Sequence, residues 1–120
     1  MLLIVVVFLS SCATATPLPT GLMWGYTAQW EAVPSLHIVV YSADRPTCEI
    51  LRTKDLKDRS SEACRRVTVE AGTDYWVFAY PQQGAIGTND REWCLKLREA
   101  VAQYRGGLGQ CQPITVKDAR

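Results

Sequence analysis

Two periodicities divide this chain. Over residues 22–31, Leu22, Trp24, Tyr26, Ala28 and Trp30 alternate with Met23, Gly25, Thr27, Gln29 and Glu31. A period of two places the first set on one face of a strand, with Gly25 as a weak point or bulge. Residues 36–41 (LHIVVY) predict a second, more buried strand, in which His37 faces away from Leu36, Ile38 and Val40. Val67 and Val69 alternate with Arg66, Thr68 and Glu70 in a third. Residues 75–80 (YWVFAY) predict an aromatic-rich fourth strand, separated from the third by a turn at Ala71-Gly72-Thr73-Asp74. Residues 111–116 read as a final short strand. The other period is helical. Asp44 can cap a helix with Pro46 in its first turn, running to about residue 54 or 57. Asn89 and Glu92 form a capping box for a second helix, in which Trp93, Cys94, Leu97, Ala100, Val101 and Tyr104 share one stripe and Gly106-Gly107 ends the run. Residues 58–63 and 82–88 read as loops.

The two halves of this pattern repeat one another. Cys48, Leu51 and Arg52 match Cys94, Leu97 and Arg98 as C-x-x-L-R. Cys64, Val67, Thr68 and Val69 match Cys111, Ile114, Thr115 and Val116 as C-x-x-[VI]-T-V. The cysteines lie 16 apart in one half and 17 in the other. Two strand–helix–strand units in tandem, about 36–70 and 75–117, predict an α+β fold. The expected form is a small, mostly antiparallel sheet with two helices, a duplicated βαβ (ferredoxin-like) arrangement with residues 22–31 as an extra N-terminal strand.

Ahead of the domain, residues 2–9 are uniformly apolar and lead into Leu9-Ser10-Ser11-Cys12. That run suits a signal-peptide core and is too short to span a bilayer. Leu9, two small serines and Cys12 resemble the lipobox of bacterial lipoproteins. The resemblance implies cleavage before Cys12 and acylation of its thiol, hence a membrane partner through the lipid. With Ala13 rather than Asp after the cysteine, it also implies attachment to the outer membrane, facing the periplasm. The n-region departs from the pattern in having no Lys or Arg. Two other readings stand beside this one: cleavage after Ala13-Thr14-Ala15, giving a soluble secreted or periplasmic protein, and a buried strand of a cytosolic one. The expected organisation is a signal peptide over 1–11, a tether over 12–21 and one domain over 22–120.

Composition changes the picture in two ways. Thirteen Lys and Arg face twelve Asp and Glu, with the signs interspersed, so there is no electrostatic footprint for nucleic acid. Five cysteines are an odd number. Acylation of Cys12 would leave Cys48, Cys64, Cys94 and Cys111 as two disulfides in an oxidising envelope. The repeat favours Cys48–Cys64 with Cys94–Cys111, since an ancestral unit would close its own bridge. The rise along a crossover helix argues for Cys48–Cys111 with Cys64–Cys94 instead.

Candidate chemistry is sparse. His37 is the only histidine, and no C-x-x-C, P-loop or G-x-S-x-G occurs, so no metal, cofactor or catalytic site is expected. His37, Ser35, Ser42 and Asp44 supply triad residue types without triad spacing. The one suggestive feature is an aromatic face, Trp76, Phe78 and Tyr80, with Arg66, Thr68 or Glu70 as polar neighbours. The expected βαββαβ topology resembles that of SPOR domains, which bind peptidoglycan through a related sheet, and it implies glycan binding if this face is open. If the face is covered, the rings are core. The sequence therefore leads to the expectation of a non-catalytic envelope lipoprotein, an interaction or structural module whose partner is an envelope protein or peptidoglycan.

Overall fold

The computed structural model describes residues 17–30, 32–55, 64–81 and 84–119. The expected signal peptide over 1–11, Cys12, the start of the tether and the loop over 58–63 lie outside these residues. In chain order the elements are β1 (Gly21–Gln29), β2 (His37–Ser42), α1 (Arg45–Ile50), β3 (Arg65–Tyr80), β4 (Gly84–Thr88), α2 (Arg91–Ala102) and β5 (Gln112–Asp118). A π-helical stretch, Leu51–Asp55, prolongs α1.

All strand pairs are antiparallel, in the order β1-β2-β4-β3-β5, and β1 also pairs with β3. Strands β1, β2, β4 and β3 therefore close into a four-stranded barrel, and β5 lies against the outer edge of β3. Closure depends on the length of β3. Its first part pairs with β1, from Gly21↔Val69 to Gly25↔Arg65, and its last part pairs with β4, from Trp76↔Thr88 to Tyr80↔Gly84.

Two expectations are corrected here. The duplicated, ferredoxin-like βαβ sheet does not form. There the second unit's last strand would return beside the first strand of the first unit. Instead β1 occupies the position beside β2 and closes onto β3, while β5 stays on the far side of β3. Nor do residues 71–74 turn the chain between two strands. The register against β5 shifts so that both Ala71 and Tyr75 face Ile114, making a wide irregularity within one continuous strand. The glycine that signalled a turn serves close approach instead, because a Cβ at Gly72 would collide with the Thr115 side chain.

The segment expected to be a loop over 82–88 supplies a central strand. β4 (GAIGT) is buried throughout and paired on both sides. Its glycines hide its strand character yet allow the tight ring, since a Cβ at Gly87 would collide with the Trp76 carbonyl oxygen.

The barrel separates two apolar clusters. Met23, Val39, Tyr41, Val67, Val69, Val77 and Ala85 fill the interior together with Ile114. On the outside, Tyr26, Val40, Phe78, Tyr80 and Ile86 meet Cys48, Leu51, Cys94 and Val101 of the helical segments. Asp44 caps α1 through the Thr47 amide at 2.8 Å, as its position predicts. Asp90, not Asn89, caps α2, accepting from the Trp93 amide at 3.1 Å. Asn89 is engaged elsewhere: its side-chain oxygen accepts from the His37 amide at 2.8 Å, and its Nδ2 donates to the Ser35 carbonyl at 3.2 Å.

Candidate functional site

The aromatic face singled out in the sequence lies under the helices. Phe78 and Tyr80 are 0% and 1% exposed, stacked with ring centroids 5.9 Å apart, and belong to the outer cluster beneath α1 and α2. Trp76 is half-buried at its rim, with the Arg91 guanidinium 5.5 Å from its ring centroid. The open face that glycan stacking requires is therefore not present at Trp76, Phe78 and Tyr80. The helical segments cover it, together with Tyr26 of β1. The proposed polar neighbours are remote in function: Glu70 pairs with Lys117 at 3.2 Å, and Arg66 faces Trp24.

The two disulfides are Cys48–Cys64 and Cys94–Cys111, each with Cα atoms 6.3 Å apart. The geometric objection to this pairing is met because each second cysteine is brought back beside the first. In the second unit Arg98 donates to the carbonyls of Gly109 (2.5 Å) and Leu108 (3.2 Å), tying the returning loop to α2. In the first unit Glu49 does the tying. One carboxylate oxygen accepts from the Cys64 amide at 2.9 Å, and the other pairs with Arg52 at 2.7 Å. Arg52 is itself buried and lies 5.2 Å from the Tyr26 ring centroid. Burial pushes the Glu49 carboxyl upward, but the Cys64 amide and the Arg52 guanidinium outweigh it and hold the group below the usual range. The arginine of the second C-x-x-L-R repeat thus braces the segment leading to Cys111 directly, whereas Arg52 of the first acts through Glu49, which holds the Cys64 amide.

The triad residue types do not converge on chemistry. His37 opens β2 in an exposed position, Ser42 is buried at the other end of that strand, and Asp44 is occupied as a cap. The Thr47 amide holds the Asp44 carboxyl below its ordinary value. Tyr41 is a buried phenol pushed upward by desolvation, with its hydroxyl donating to the Pro19 carbonyl at 3.0 Å. Among the described residues no three His, Cys, Asp or Glu side chains gather as metal ligands would. Two clefts of about 300 Å³ open on the surface. One lies between Arg98, Arg105 and Gly106-Gly107; the other lies between Ser35, Asn89, Asp90 and Trp93, where the Asp90 carboxylate is occupied as the α2 cap.

One cluster was not legible in the sequence. On β1, Trp24 pairs with Ser42 on one side and Arg66 on the other. That register brings two guanidiniums onto one indole, Arg66 at 4.9 Å and Arg45 at 5.5 Å from the ring centroid. Only the pairing of β1 with β3 unites them, and no local signal announces it.

The disulfides imply folding in an oxidising, extracytoplasmic compartment. Among the described residues no helix is long and apolar enough to cross a membrane. No protein-family model, curated protein or solved structure matches this chain.

Proposed function

We propose that this is a lipid-anchored envelope protein whose disulfide-stapled barrel is a non-catalytic interaction or structural module. The observation that carries the reading is cysteine parity. Four of the five cysteines are joined to one another, so Cys12, at the end of the lipobox-like run, has no cysteine left in the chain to pair with. Acylation uses that thiol. With Ala13 rather than Asp after it, the lipobox resemblance favours delivery to the outer membrane, with the domain in the periplasm. Catalysis finds no support in the site geometry, because Asp44, Glu49 and Arg98 are engaged in capping and bracing. Burial of Phe78 and Tyr80 removes the platform for the glycan reading, which leaves an envelope protein as the favoured kind of partner.

Intact mass spectrometry of the membrane fraction tests the anchor. The expected species begins at Cys12 and carries acyl mass. A chain beginning at Thr16 without acyl mass would replace anchoring by plain secretion.

A further inference from the structure

The surface around Trp24 lies where the chain enters the barrel. Leu18 packs against the interior cluster and the Pro19 carbonyl accepts from Tyr41, so the chain is already fixed to the domain at these two residues. The expected tether over 12–21 is correspondingly shorter. Leu18 lies six positions after Cys12, at most ~22 Å of extended chain. A lipid on Cys12 would therefore hold this end of the barrel close to the bilayer.

What this end presents is suited to that position. Leu22 is 56% exposed and shares the outer face of β1 with half-buried Trp24. Arg45 and Arg66 both lie over the indole. Among the described residues the one carboxylate near Arg45 is that of Glu49, at a long 4.0 Å, and the Arg45 side chain is 57% exposed. Arg66 has no carboxylate partner among the described residues. Two positive charges held against one ring, with so little neutralisation, call for an external anion. An indole with an adjoining exposed leucine fits the boundary between headgroups and acyl chains.

We infer that Leu22, Trp24, Arg45 and Arg66 form a seat on anionic phospholipid, with the guanidiniums on headgroup phosphates and the apolar pair at the acyl boundary. The seat rests on the lipid anchor proposed above. It fixes the orientation of the domain: the entry end faces the membrane, and α2 with its exposed Trp93 is left to other contacts.

Full-length protein exported in a bacterial host and reconstituted into nanodiscs containing phosphatidylglycerol tests this, with some acyl chains brominated near the headgroup. Intact mass on the same sample reports the acyl group. Tryptophan fluorescence should be quenched by the brominated lipid. Trp93→Phe should retain the quenching, whereas Trp24→Phe and the pair Arg45→Gln/Arg66→Gln should lose most of it with both disulfides intact. Acylated wild-type protein that is not quenched, or Trp24→Phe protein quenched like wild type, overturns the seat and leaves the anchor standing. If Trp24→Phe fails to fold, the arginine pair decides: unchanged quenching overturns the seat. A chain without acyl mass overturns the anchor, and the seat with it.

Discussion

Glu49 shows how much a single side chain can organise here. It joins helix, returning chain and a buried arginine, and its charged form is the one that fits. Replacing it with Gln keeps the shape and removes the charge that strengthens both contacts, so Glu49→Gln should cost about 1–2 kcal/mol in urea denaturation at pH 7 with disulfides intact. Its folded-state pKa is depressed. The stabilisation from its ionisation is therefore fully present above the unfolded value of about 4.3, and is lost as pH falls through the folded value. The gap between wild type and Glu49→Gln should narrow in acid, and a gap that persists at pH 2–3 would locate the effect elsewhere. Phe78 makes a different point at the same scale. It is wholly enclosed between strand and helices, so Phe78→Ala should lower stability by roughly 3–5 kcal/mol, whereas half-buried Trp76 should cost less when truncated. Thermal melts of the two variants compare them directly.

The elements divide into those that residue pattern discloses and those that only pairing creates. β1, β2, both helices and β5 were legible because alternation and the helical stripe act within a few residues. The C-x-x-L-R repeat likewise disclosed the two staples. Each closes a loop of about 15 residues and should be worth on the order of 3 kcal/mol. The double replacements Cys48→Ala/Cys64→Ala and Cys94→Ala/Cys111→Ala should each lower stability by about that amount in chemical denaturation. β4 and the middle of β3 were illegible for one shared reason. Gly72, Gly84 and Gly87 read locally as turn signals, while in the fold all three are where neighbouring chain comes too close for a side chain. Gly87→Ala should accordingly destabilise by about 1–3 kcal/mol or more through overpacking, not stabilise as an ordinary strand substitution might suggest. The aromatic face was found as a set of residues, but whether it is surface or core stayed open, since alternation says which residues share a side and is silent on what covers it. Trp24 with its two arginines was beyond local reading altogether, because Arg66 reaches it only through barrel closure.

At the scale of the whole molecule, closure gives β1, β2 and β4 a neighbour on both sides and leaves β5 as the edge strand, which contains Pro113 and Lys117, residues that discourage further pairing. Closure also joins the first strand of the domain to one made much later. Gly25 meets Arg65 and Gly21 meets Val69, so at least forty residues must follow β1 before its second edge is satisfied. In a chain exported with its N-terminus first, an apolar strand bearing Trp24 and Tyr26 therefore enters the oxidising compartment before the neighbour that completes it. The order in which this chain arrives and the order in which it closes run against each other, and the interval between them is when the arriving chain would most need shelter.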